Sequence, residues 1–218
     1  ETKGSFIKGI SDVVNSGISQ LTIYTLMLLF GTEFKNPEYR KKFGYKGMFR
    51  IVPLNFGEYD NKKIFDYEEV AVENNDISFK QYLELRGMAL LVETLLNGRP
   101  YDEFFIYAEG FGINKTNVIK NLLENMYKAP KEVKDLYNDF IKETEGELWL
   151  SEDELLEYYQ KNENYLKLKK GLLGGNLIYK YKVRSLVLTC VGWLDFLKTV
   201  IFDLLINEKN IDIETNEI

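Results

Sequence analysis

From Ser78 onward the chain reads as one helix signal after another, and this run limits the fold more than any other feature. Ser78-Phe79-Lys80-Gln81 has the spacing of a capping box, in which the first hydroxyl and the fourth side chain each satisfy an orphan backbone N–H. The helix it opens is predicted to reach Asn97, with Gly98 as its stop. Phe79, Leu83, Leu90 and Leu91 are among its apolar positions. Further helices are predicted over about 101–109, 115–127 and 131–145, with Pro130 dividing the last two. Ser151-Glu152-Asp153-Glu154 is a second capping box, opening a helix that runs, with a break, to about Lys170. The glycines of GLLGGN (Gly171, Gly174, Gly175) mark a turn. One last helix is predicted over about 177–207, with an i, i+3, i+4 apolar stripe from Val183 to Leu205. The tail 208–218 is polar and acidic and is expected to fray.

The first 76 residues have a different character. Thr2 caps a predicted helix over 3–15, and Gly17 stops it. Ile18–Leu29, ISQLTIYTLMLL, is β-branched, aromatic and almost continuously apolar, as expected of a strand buried on both faces. Phe49–Pro53 and Lys63–Val72 are two more predicted strands, with a turn at Glu58-Tyr59-Asp60-Asn61 between them. A strand, helix, strand order with buried strands belongs to α/β architecture. Three such strands do not complete a sheet layer, which points to truncation. The expected organisation is therefore a partial α/β segment over 1–76 and a mainly helical domain over 77–218, helix-rich overall.

Two absences remove whole classes of chemistry. The chain has no histidine, so no imidazole base, histidine metal ligand or histidine-containing triad is available. Cys190 is the one cysteine, so no disulfide and no multi-cysteine cluster can form within one copy. A reducing, cytoplasmic setting fits best. Lys plus Arg number 28 against 34 Asp plus Glu, a net charge of −6, so a global basic field for nucleic acid is missing. Residues 1–10 have no long apolar stretch, so no signal peptide is expected in them, and Asp195, Lys198 and Asp203 interrupt the most apolar stretch, Leu186–Ile206. That stretch is read as a core helix, and neither a membrane nor nucleic acid is expected as a partner.

Glu1-Thr2, then Ser5-Phe6, then Gly17-Ile18 with ISQLTIYTLMLL, then Phe30-Gly31-Thr32-Glu33, stand in a telling order. This stretch resembles the second half of the barrel in radical S-adenosylmethionine enzymes, where a GLPGET-like turn, a helix and a strand lead to a PGTE-like turn. Phe30 stands where the wider family often has Pro. FRIVPLNFGEYD, DYEEVAVE and SFKQYLELRGMALLVE continue the likeness toward cobalamin-binding members labelled Fe–S oxidoreductases, over about residues 1–98. The helical remainder resembles no family that we can name. The resemblance implies an incomplete TIM-like barrel here, as the C-terminal fragment of a larger enzyme. It implies an upstream CxxxCxxC loop with a [4Fe–4S] cluster, S-adenosylmethionine cleaved to a 5′-deoxyadenosyl radical, and a cobalamin domain. None of these groups would be held by this chain, which should be inactive alone. Its partners would be the missing N-terminal part and, through unpaired strand edges, other copies of itself.

Carried over residue by residue, the resemblance places Glu1 near the adenosine and Ile23, Tyr24 and Thr25 on the strand beside the adenine. Each has a plainer reading: Glu1 as a chain end, Thr2 as a helix cap, Ile23-Tyr24-Thr25 as an ordinary buried strand. Gly31 and Thr32, with Glu33, follow a strand's end, where barrels carry functional loops, and read equally as a glycine turn with a capping Thr. Arg50 stands on an apolar strand and is a candidate substrate anion contact, or it pairs with Glu33 or Glu58. Arg86 reads as a buried or rim ion pair. Glu68 and Glu69 would point to opposite faces of a strand, and Glu152-Asp153-Glu154 suits a first helical turn, so neither cluster reads as a catalytic acid and base. GLLGGN lacks the phosphate-loop pattern, the Asn114-Lys115-Thr116 sequon lacks a secretory context, and Cys190 reads as inert core. Two rival functions stand beside the fragment reading: a helical interaction module that completes a partner's sheet, and a stand-alone enzyme working through carboxylates and tyrosines.

Overall fold

The computed structural model describes residues 1–209. The expected fraying of the tail falls, from residue 210 on, outside the described residues. Among the described residues the helices are α1 (Lys3–Asn15), α2 (Pro37–Phe43), α3 (Phe79–Leu91), α4 (Asp102–Gly110), α5 (Lys115–Glu124), α6 (Lys131–Gly146), α7 (Glu152–Gln160), α8 (Asn162–Lys169), α9 (Leu177–Leu188) and α10 (Cys190–Lys209). The sheet is a single antiparallel hairpin, β1 (Lys46–Tyr59) and β2 (Lys62–Glu73).

This corrects the expected fold. Among the described residues there is no parallel sheet, so they do not form an incomplete TIM-like barrel. The reason is local. Tyr59 pairs with Lys62 across only Asp60 and Asn61, both left-handed at φ 49° and 59°. A two-residue turn of that hand joins antiparallel neighbours, whereas parallel strands need a crossover of a dozen residues or more. Ile18–Leu29 is not a strand buried on both faces either. Met27 alone forms a bridge, to Val70, and Leu28 is the only member that is fully buried.

The helix signals fared better. Ser78 and Gln81 exchange the capping-box bonds, Ser78 N–H to Gln81 Oε1 at 3.0 Å and Gln81 N–H to Ser78 Oγ at 3.3 Å. Ser151 Oγ accepts from Glu154 N–H at 3.2 Å and opens α7. Gly17, Gly98, Gly171 and Gly174 all take positive φ where the chain must turn. The last predicted helix is broken: α9 and α10 meet at a bend of about 90°. Thr189 sits at the break and its hydroxyl donates to Ser185 O at 3.1 Å, a back-bond that bends helices. No single described helix is long and apolar enough to cross a membrane.

The chain divides into two compact units, each built from separate stretches of sequence. The first comprises Glu1–Lys3, Ile23–Leu85 and Ile141–Lys180. Its hairpin is covered on both faces, as strand alternation requires. Ile51 and Phe65 pack with Leu155, Tyr159, Tyr165 and Leu168, while Val70 and Val72 pack with Tyr82 and Leu148. Beyond β1, Phe49 and Trp149 exchange two backbone hydrogen bonds of 2.8 Å. Gly47 leaves room for a charge cluster, because a Cβ there would stand 2.0 Å from Glu69 Oε1. Glu69 takes Arg40 Nη2 at 2.8 Å together with Lys35.

The second unit comprises Gly4–Thr22, Arg86–Phe140 and the chain from Tyr181 onward. The core of α10, with Trp193, Phe196, Leu197, Ile201 and Leu205, is buried. α4 and α5 pack on that helix. After α3 the backbone widens into one π-helical turn over Val92–Leu96 before Gly98 stops it.

Tyr101 and Tyr159 are 5% and 4% exposed, and burial pushes both phenols up to about 12. The unfolded chain releases these protons near ~10. Their contribution is therefore complete below that pH and lost as pH rises toward 12, on the order of 2 kcal/mol each. Alkaline denaturation curves are expected to steepen above pH ~10. Tyr101→Phe should flatten them without loss at neutral pH, because the Tyr101 hydroxyl has no hydrogen-bond partner. An unchanged alkaline slope would count against this.

Candidate functional site

Of the residues marked by the sequence, Ile23, Tyr24 and Thr25 lie on the extended ribbon Ile23–Phe30 of the first unit, and Gly31 and Thr32 follow at its end. Its inner edge is held to β2: Leu28 N–H donates to Glu69 O at 2.8 Å, and Ala71 N–H donates to Leu26 O at 2.9 Å. In an antiparallel ladder a residue's N–H and C=O point to the same side, and its neighbours' point to the other. The backbone groups of Thr25 and Met27 therefore point away from β2, and they take no backbone partner among the described residues. The ribbon is apolar and open. Tyr24 is 81% exposed and Phe30 86%, and Leu26, Met27 and Leu29 are exposed as well. Native sheets rarely leave such an edge bare.

At the end of the ribbon Gly31 turns at φ 79° and Thr32 donates its hydroxyl to Leu29 O at 2.7 Å. Thr32 precedes a short 3-10 turn, Glu33–Lys35, but makes no side-chain cap. The Lys35 ammonium lies 4.4 Å from the Phe30 ring and also pairs with Glu69. Ile23 and Thr25 are half-buried, and the Thr25 hydroxyl is enclosed without a hydrogen-bond partner. Glu1 is exposed on the same unit.

Arg50 is not among these residues. It is 15% exposed on β1, with Nε 2.7 Å from Glu68 Oε1 and Nη1 3.1 Å from Glu147 Oε1. Burial pulls the guanidinium pKa down, but Glu147 and Glu68 together outweigh it and hold the group above its ordinary value. The expected pairing with Glu33 or Glu58 is thus corrected to Glu68 and Glu147, and the charge is already neutralised by two carboxylates. Glu68 and Glu69 serve separate ion pairs, as opposite faces of a strand require. Arg86 is buried with its guanidinium 6.0 Å from the Phe140 ring. Asn114 caps α5 by accepting from Asn117 N–H at 2.8 Å. Cys190 is half-buried at the start of α10.

Sequence reasoning missed a polar centre in the second unit. Glu93, 5% exposed, lies in the π turn. Its Oε1 is 2.7 Å from Lys182 Nζ and its Oε2 accepts from Asn97 Nδ2 at 2.6 Å. Asn97 Nδ2 also donates to Leu21 O at 2.9 Å, and Asn97 Oδ1 accepts from Leu21 N–H at 3.0 Å. The amide thus clasps the chain as a neighbouring strand would. A cleft of about 420 Å³ opens beside it, lined by Asn97, Arg99, Asp102, Glu109 and Lys115 among others. The i, i+4 spacing of Glu93 and Asn97 was visible in the sequence.

The residues present do not fit an iron–sulfur cluster. One half-buried thiol cannot supply the three or four thiolates such a cluster needs. Among the described residues no group of three His, Cys, Asp or Glu side chains is placed to hold a metal. Compared with protein-family models and with curated proteins, the chain matches none.

Proposed function

We propose that this chain is the non-catalytic C-terminal part of a radical S-adenosylmethionine Fe–S enzyme, and that it docks to the cluster-bearing part through the ribbon Ile23–Phe30. The observation that carries this reading is the free apolar edge: Thr25 and Met27 offer unpaired backbone groups flanked by exposed Tyr24, Leu26, Leu29 and Phe30. An added strand would pair those groups and bury those side chains. The resemblance of ISQLTIYTLMLL and its Gly-Thr-Glu turn to that family names the partner. The hard chemistry would belong to the cofactors of the other part, and this chain would supply shape and position.

The test uses the continuous reading frame that contains these residues. It is expected to encode a CxxxCxxC loop, and the whole polypeptide is expected to form 5′-deoxyadenosine after anaerobic reconstitution. Met27→Pro removes one outward N–H and leaves both bonds to β2 in place. It should lower that product by on the order of tenfold or more, since edge pairing is lost. This chain alone, given iron, sulfide and S-adenosylmethionine, should yield neither a stable cluster nor the nucleoside. A frame without the cysteine loop, or a cluster formed by this chain alone, would sink the proposal.

A further inference from the structure

The second unit carries an apolar groove of about 600 Å³ between α4 and α10, lined by Phe104, Ile106, Tyr107, Ile201 and Phe202 with Glu103 and Lys198 at its rim. Glu103, Ile106 and Tyr107 share one face of α4 by helical spacing. Along α10 the residues Val191, Leu194, Lys198, Phe202 and Ile206 continue that surface at spacings of three and four. Ile106 is 51% exposed and Val191 65%, and Tyr107, Leu194 and Ile206 are exposed too. Together these side chains leave roughly 400–500 Å² of apolar surface open, the range in which a monomer's largest patch is often an interaction site.

The two rim charges decide what fits. Both are exposed, and neither has an ion-pair partner among the described residues. The Lys198 ammonium stands over the Phe202 ring at 5.5 Å. One unpaired cation and one unpaired anion at the rim of one apolar groove make a self-complementary pattern. A two-fold axis can bring Lys198 of one copy over Glu103 of the other, twice, while the apolar linings meet between them. An anionic bilayer is not favoured, because the surface has no excess of cations and α10 also exposes Asp195 and Asp203.

We propose that the α4/α10 groove is a two-fold docking surface for a second copy of this chain. The apolar patch alone is about half of the ~800 Å² per partner of a standard interface, so a weak, concentration-dependent dimer is expected. The surface is independent of the ribbon Ile23–Phe30 and does not rest on the function proposed above.

The test is light scattering on the eluted full chain over a range of concentrations. A concentration-dependent dimer is expected. Ile106→Glu, at an exposed position, should raise its dissociation constant at least about tenfold while the circular dichroism spectrum stays unchanged. Lys198→Glu and Glu103→Lys should each weaken the dimer by on the order of tenfold, because each sets like charges face to face. The Lys198→Glu, Glu103→Lys double variant should return to within about threefold of the original. Met27→Pro should leave the dimer intact. A monomer at every concentration, a dimer indifferent to Ile106→Glu, a double variant no better than the singles, or a dimer abolished by Met27→Pro would each overturn the proposal.

Discussion

Arg50→Ala is expected to destabilise the first unit by about 3–4 kcal/mol, because breaking a buried pair leaves an uncompensated charge behind. The guanidinium bridges Glu68 and Glu147, which are only 13% and 20% exposed. Removing it leaves two carboxylates with little water and without the cation they share. That loss is a large share of a domain's usual 5–15 kcal/mol. Arg50→Lys keeps the charge but not the fork, and should fall roughly midway, since one ammonium cannot reproduce two directed contacts. A triple variant, Arg50→Met with Glu68→Gln and Glu147→Gln, should recover most of the stability. Chemical denaturation of the four proteins reads this directly. A loss under about 1 kcal/mol for Arg50→Ala would mean that the triad behaves as a solvated surface pair.

Glu93→Ala should cost the second unit a similar amount, about 3 kcal/mol, and for a related reason: Lys182 and Asn97 lose their shared acceptor. This substitution also has a local signature. Asn97 holds the backbone of Leu21 on both its N–H and its C=O. Without Glu93 to fix the amide, the Leu21 N–H should exchange with solvent faster than the protons of α10. Glu93→Gln keeps an acceptor for Asn97 and should preserve that protection at about half the stability cost of Glu93→Ala. Pairing Glu93→Met with Lys182→Met should restore the melting temperature more than the Leu21 protection. Hydrogen exchange followed beside the melting curve separates the two effects. Uniform acceleration of all amides would contradict the clasp.

Much of the helical content was legible because its punctuation is chemical and local: Ser78 with Gln81, Ser151 with Glu154, and glycines where φ turns positive. The bend at Thr189 was not, because a hydroxyl that bonds back to Ser185 sits inside an unbroken apolar stripe. The turn at Asp60-Asn61 was legible as a turn, but its length was the decisive clue and it pointed to an antiparallel hairpin. Ile18–Leu29 has the composition of a buried strand, yet composition cannot supply neighbours, and among the described residues only the β2 edge pairs with Ile23–Phe30. Arg50 stood out as a charge on an apolar strand, while its partner could not be counted. Stepping back from the Tyr59–Lys62 pair in strict register sets Arg50 opposite Ala71. The irregularity between Ile51 and Phe56, where Pro53 and left-handed Leu54 lie, sets it opposite Glu68 instead. The Glu93 centre joins residues far apart in sequence, and only packing reveals that Lys182 is its third member.

The hairpin has a consequence for how the chain is made. Its strands meet through a two-residue turn, so they can zip within microseconds of leaving the ribosome. The residues that cover one face, Leu155 to Leu168, and the Trp149 bridge come about a hundred residues later, several seconds at ordinary translation speeds. During that interval Phe49, Ile51, Phe65 and Tyr67 are bare. Nascent chains arrested near residue 120 should therefore crosslink to a ribosome-associated chaperone through the hairpin, and chains arrested well past the end of α8 should not. Equal crosslinking at both lengths would show that the sheet waits for its cover before it forms.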